Sequence, residues 1–239
     1  MGCAITHVSK CSLNPTEFHC GCLKSMAEHL RATKHWGIAF HWIRHSPDLP
    51  DEPMPEFPKS SQESPKCQTD TAGEKLACFV DAAHGNNLTE RRSNTGCAST
   101  HCGGAMLHQS KAQSMTTLSS MEAKLIAAVT AVENAKCIRS VLAELGIPKS
   151  EQPTPICKDN KSAVETINAN KPTGRSRCMD IRFFAIQDWK DDQHTTLRHT
   201  PGVVNPADDS TEPLGCVSHS RHARHTMGHR PMVKLKTSL

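Results

Sequence analysis

The feature that most constrains this chain is the change of pattern at residue 76. Leu76-Ala77-Cys78-Phe79-Val80-Asp81-Ala82-Ala83 is an apolar run of buried-strand length, closed by a polar turn at Gly85-Asn86-Asn87. Two further strand-length segments, 96–101 and 105–110, flank Cys102-Gly103-Gly104, which reads as a hairpin turn. From Ser119 to Leu145 apolar residues recur at helical spacing (Met121, Leu125, Ala128, Val132, Ala135, Ile138, Leu142), and Gly146 with Pro148 stops the helix. Thr154–Lys158 supplies a fourth strand, 160–169 and 179–190 two shorter helices, and Thr195–His199 a fifth strand. The order βββαβααβ implies an α/β fold in which helices pack on a mixed sheet.

The sequence before residue 76 has a different character. Between Ser46 and Gly73 stand six prolines among acids, Ser and Thr, a composition that buries too little surface to offset chain ordering and predicts a linker. Upstream, Leu23, Met26, Ala27, Leu30 and Ala32 predict one amphipathic helix between Asn14-Pro15 and Gly37. With 36% hydrophobic and 4% aromatic residues among 239, and no Tyr, the chain can build one medium core with appendages. No apolar stretch approaches membrane-spanning length and the start lacks a secretory pattern, so a soluble intracellular protein is expected. Met1-Gly2 through Thr6, with Cys3, also fits a short lipidation pattern.

Charge and thiols narrow the classes further. The net charge is +4, yet from Pro213 onward there are five bases (Arg221, Arg224, Arg230, Lys234, Lys236) and no acid, so the basic character belongs to the tail. The 12 Cys are scattered without a CxxC pair and read as reduced thiols rather than a disulfide scaffold. His219, His222, His225 and His229 are the densest candidate zinc set, with a polar helical face as the competing reading.

Four acids fall at element ends: Asp81 after the first strand, Glu122 at the start of the long helix, Asp159 after the fourth strand, and Asp208 in the Asn205-Pro206-Ala207-Asp208-Asp209 turn. Each has a structural alternative. Ser119-x-x-Glu122 is a capping-box pattern, Asp159 and Asp208 could cap helices, and Asp81 could hold a turn. Together they sit where open α/β sheets gather functional groups.

Seven blocks, in order, carry a family resemblance: Phe79-Val80-Asp81-Ala82, Arg91–Gly96, Gly103-Gly104-Ala105, Ser110-Lys111-Ala112-Gln113, Leu118–Ala123, Lys158–Ala163 and Asn205–Asp208. Over residues 76–215 they resemble the ribonuclease H domain of copia-type long-terminal-repeat retrotransposon Pol polyproteins. Ser9–Thr16 and His29–Lys34 look like the end of that family's reverse transcriptase, and the expectation from that resemblance is that Met1 is an internal methionine of a truncated element. The resemblance implies a ribonuclease H-like fold, a five-stranded mixed sheet flanked by helices. It implies four domains: a reverse-transcriptase remnant at 1–45, the Pro-rich linker at 46–75, the ribonuclease H-like domain at 76–216, and a basic His-rich tail at 217–239.

It further implies Mg²⁺-dependent endonucleolytic hydrolysis of the RNA strand of RNA:DNA hybrids. Asp81, Glu122, Asp159 and Asp208 match the family's four metal-binding carboxylates. Two Mg²⁺ ions about 3.5 to 4 Å apart would activate a water and stabilise the leaving oxygen. The alternative is a catalytically inactive, nucleic-acid-binding relic of the polyprotein. Glu212 stands where the resembled family usually presents Lys, and His199 is the nearest histidine to an assisting position. The hybrid is the expected partner, with no membrane and no protein partner evident. The expected location is the cytoplasm or virus-like particles.

Overall fold

A computed structural model describes residues 2–40, 76–87, 91–147, 152–168 and 180–228. The elements are α1 (Gly2–Ser9), α2 (Glu17–Ala32), β1 (Ala77–Asn87), β2 (Arg92–His101), β3 (Gly104–Ala112), α3 (Ser120–Glu144), β4 (Thr154–Lys158), α4 (Lys161–Asn168), α5 (Asp180–Asp191), β5 (Thr195–His199) and α6 (Cys216–Thr226). Two 3₁₀ turns, Gly202–Val204 and Pro206–Ser210, join β5 to α6. The linker expected at 46–75 and the end of the basic tail lie outside the described residues.

The five strands form one sheet in the order β3-β2-β1-β4-β5. β1–β2 and β2–β3 are antiparallel, whereas β1–β4 and β4–β5 are parallel. The fold is thus the expected α/β class, a five-stranded mixed sheet flanked by helices. At the β2–β3 hairpin Cys102 and Gly103 both take positive φ (49° and 83°), the backbone that a two-residue turn matched to strand twist requires.

Alternation along β1 divides the core in two. Cys78, Val80 and Ala82 face the helical side, where Ala128, Val132 and Ala135 of α3, Val164 of α4, and Phe183 and Ile186 of α5 join them and Ile156 of β4 in the larger cluster. Ala77 and Phe79 face the other way, packing with Ala98, Cys157 and Ala207. The His225 ring of α6 lies nearly perpendicular to the Phe79 ring with 5.0 Å between centroids, and His222, Ala223 and Thr226 of the same helix are buried. The segment expected as a tail therefore begins with a packed helix.

The N-terminal segment also touches the sheet domain. Thr6 Oγ1 donates to Ser110 O at 3.2 Å, and Ala39 N–H donates to Met227 O at 2.8 Å. Helix α2 nevertheless buries none of its residues, and Phe18, Leu23 and Leu30 stay more than half exposed. Among the described residues no helix is long and apolar enough to cross a membrane.

Candidate functional site

Strand register builds the site. Val80 of β1 is paired with Lys158 of parallel β4, so the next residues, Asp81 and Asp159, emerge side by side from neighbouring strands about 4.8 Å apart. This is the point where the chain goes to β2 and β3 on one side and to β4 and β5 on the other. At such a switch point the crevice lies at the carboxyl ends of the parallel strands.

Asp208 arrives from the opposite end of the sequence. The partner of Asp81 on β2 is Gly96, and a Cβ there would lie 2.6 Å from Ala207 O, 2.7 Å from Thr211 Cγ2 and 2.8 Å from Ser210 Cβ. The bare backbone lets the Pro206–Ser210 turn lie directly on the sheet. Asn205 fastens it: its Oδ1 accepts from Ala207 N–H at 3.2 Å and its Nδ2 donates to Val80 O at 3.4 Å. Thr211 Oγ1 then donates to Asp81 Oδ2 at 2.7 Å.

Asp208 Oδ1 is buried with no hydrogen-bond partner. Burial, followed by the charges of Asp81, Asp159 and Glu212, pushes the Asp208 carboxyl up to about 8, against the smaller opposing effect of Lys124. Three of the four sequence candidates thus converge.

Glu122 does not join them. Its carboxylate accepts from Leu118 N–H at 2.8 Å while its own N–H donates to Ser119 Oγ at 3.1 Å, which completes the N-terminal cap of α3. The side chain that does reach the cluster is Lys124. Its Nζ donates to Asp159 Oδ1 and Oδ2 at 2.9 and 3.1 Å and lies 3.7 Å from Asp81 Oδ1. Beneath it Lys158, 1% exposed, donates through Nζ to the Lys124 carbonyl at 2.6 Å. Burial, then the charge of Lys124, lowers the Lys158 ammonium to about 8, partly offset by Asp159 and Asp81. His199 Nε2 donates to the Asp159 carbonyl at 3.1 Å.

The implied pair of Mg²⁺ ions does not fit this arrangement. Hard oxygen donors are present, but an ammonium sits among them. A unit positive charge held about 4 Å from a divalent ion costs about 8 kcal/mol at an effective dielectric near 20. Among the described residues no group of three His, Cys, Asp or Glu is placed to hold a metal ion.

Over 137 residues the chain is 30% identical to the retrovirus-related Pol polyprotein from transposon TNT 1-94 of Nicotiana tabacum, a match covering 57% of this chain. The chain is related to a retrotransposon Pol polyprotein. It spans 10% of that relative's length. No family model matches it. Among solved structures it is similar to LC11-RNase H1 in complex with an RNA/DNA hybrid (16% identity, 57% of this chain and 94% of that one, TM-score 0.45). It is also similar to LC11-RNase H1 isolated from compost (18% identity, 58% and 93%, TM-score 0.46).

Outside the acidic centre, the chain gathers histidines around Asp209. His108 Nε2 and His219 Nε2 lie 3.6 and 3.7 Å from its two oxygens, and His108 also meets Ser210 Oγ at 3.0 Å. Burial lowers the ring pKa values of His108 and His222. Of the zinc set considered from sequence, His219 thus faces Asp209, His222 is buried, His225 packs on Phe79, and His229 lies outside the described residues. The thiols of Cys78 and Cys97 are buried, and burial pushes Cys78 up to about 12, which makes it an inert core residue rather than a nucleophile.

The residues that sequence reasoning misses are Lys124, Thr211 and Lys158. Lys124 does leave a signal. It lies four residues before Ala128 and seven before Ala131, on the stripe that packs against the sheet, where a lysine is out of place unless it meets acids.

Proposed function

We propose that this chain is a ribonuclease H-type domain of a retroelement polyprotein that engages RNA:DNA hybrids and, with Lys124 in place, binds them without metal-dependent cleavage. The observation that carries the reading is the Lys124 ammonium between Asp81 and Asp159. It occupies the space that a metal ion would need and cancels one of the charges that would draw it in. Hybrid as the polymer is what the resemblance of residues 76–215 to retrotransposon ribonuclease H domains implies, and the similarity to a Pol polyprotein agrees with that resemblance. Recognition would then rest on groove shape and 2′-hydroxyl contacts rather than base reading. Salt-sensitive phosphate contacts would come from the bases of α6 and the residues after it.

Fluorescence anisotropy with labelled hybrid, duplex DNA and duplex RNA tests the binding, run in chelator. Preference for hybrid is the expected result, and equal weak binding to all three overturns it. Incubation with hybrid and Mg²⁺ tests the rest, with no RNA fragments expected. A second reading, Mg²⁺-dependent hydrolysis of the RNA strand, is favoured by the convergence of Asp81, Asp159 and Asp208 on one crevice. It requires Lys124 to leave that crevice, and Mg²⁺-dependent fragments that vanish in Asp81→Asn would establish it.

A further inference from the structure

We infer that Lys124 is a built-in counter-ion that stands in for a divalent cation, so that this acidic centre is complete without metal and becomes a divalent-cation site only when the Lys124 charge is removed. The inference rests on the hybrid-binding reading above and deepens it.

The interactions of Lys124 are those of a bridging cation. Its Nζ engages both oxygens of Asp159 and approaches Asp81, and so ties together two carboxylates that the parallel register forces side by side. Two like charges at such spacing need a positive partner in the folded state, whether ion or side chain. The position of the lysine is fixed from both sides. Upstream, Ser119 caps α3 and holds its first turn. Beneath, the Lys124 carbonyl accepts from the buried Lys158 ammonium.

A second observation shows that the centre has capacity left over: Asp208 Oδ1 is buried and makes no hydrogen bond. The single ammonium is taken up by Asp159 and Asp81, and the third acid, Asp208, is left with an oxygen that has no donor. A neutral side chain at 124 would leave all three without a cation. They are not placed around an ion in this structure, so an ion entering the vacated space would have to draw them inward, and hard oxygen donors from three separate segments suit Mg²⁺ or Mn²⁺ in that role. Glu122 is engaged elsewhere, its carboxylate accepting from Leu118 N–H.

The test uses the full chain as parent, Lys124→Arg and Lys124→Gln. Thermal melting is followed in chelator and in millimolar Mg²⁺ or Mn²⁺ at matched ionic strength. Parent and Lys124→Arg should melt at the same temperature in both conditions. Lys124→Gln should melt several degrees lower in chelator and recover in Mn²⁺, because a cation that binds only the folded state stabilises it by mass action. Mn²⁺ binding to the parent, read by electron paramagnetic resonance, should be at least tenfold weaker than to Lys124→Gln. A parent stabilised by Mg²⁺ as strongly as Lys124→Gln overturns the inference. So does a Lys124→Gln protein that ignores both ions, or that stays unfolded even with Mn²⁺. Hybrid binding by the parent in chelator is scored separately. Its loss would sink the functional reading and leave the counter-ion result standing.

Discussion

Replacing Asp208 by Asn should make the protein more stable at alkaline pH and leave it unchanged in acid. The Asp208 carboxyl has an ordinary value of 3.8 and stands at about 8 in the fold, with burial the first cause and the carboxylates of Asp81, Asp159 and Glu212 next. Between those values the unfolded chain has lost the proton that the folded chain keeps. Stability therefore falls as pH rises through the window, and the loss is complete above about 8. A tenfold change in proton affinity corresponds to about 1.4 kcal/mol, so the formal penalty approaches about 6 kcal/mol. Asp208 is only half-buried, and water screens it, so about 1–2 kcal/mol is the expected effect. Asn has the same shape and no charge to expel. Urea unfolding of parent and Asp208→Asn at pH 4, 6 and 9 should give equal stabilities at pH 4, with the variant ahead by about 1–2 kcal/mol at pH 9. The difference isolates Asp208, because the charges that act on Lys158, the other group near 8, are those of Lys124, Asp159 and Asp81. Parallel pH curves, or a variant less stable at pH 9, would refute the burial argument.

Gly96→Ala should cost about 1–3 kcal/mol or more, read as a lower urea midpoint, because its Cβ would strike Ala207 O, Ser210 and Thr211 and lift the turn that carries Asp208. Ser119→Ala should cost about 1 kcal/mol by removing the cap of α3, an effect independent of Mg²⁺ in thermal melts. Glu122→Gln should leave hybrid affinity unchanged in anisotropy titrations, since its carboxylate serves Leu118 N–H and not the crevice. Ending the chain at Gly228 removes Arg230, Lys234 and Lys236 while keeping α6 on Phe79. The salt dependence of hybrid binding should flatten by up to about 3 units, at about 0.9 for each phosphate no longer neutralised.

Most of the framework is legible in the sequence because it depends on local pattern. The apolar run that opens β1 and the stripe of α3 each announce their element within a few residues. Element ends are less legible. β1 runs on to Asn87 and β2 starts at Arg92, both beyond their apolar stretches, because pairing between the two strands continues into polar sequence that no hydrophobic period marks. Helix α1 has no clear sequence signal, since Gly2–Ser9 is short and Thr6 is held by Ser110 of β3, more than a hundred residues away. The burial of His222 in α6 is likewise a tertiary fact, since a run of His and Arg looks solvated until the Phe79 face of the sheet is known to lie against it.

The acidic centre shows where local reading stops. Asp81, Asp159 and Asp208 are legible as acids at element ends, but what joins them is strand register and the missing Cβ of Gly96, neither of which has a sequence signature of its own. Glu122 and Lys124 differ by two residues, and each helical residue advances about 100°, so their side chains leave α3 on nearly opposite faces. Only one can enter the crevice. The capping contacts decide which, because the Glu122 carboxylate is held by Leu118 N–H at the start of the helix. It follows that the residue two positions on is the one aimed at Asp81 and Asp159, and in this chain that residue is a cation. The charge at position 124 therefore sets the sign of what the crevice can accept, and the three aspartates alone do not.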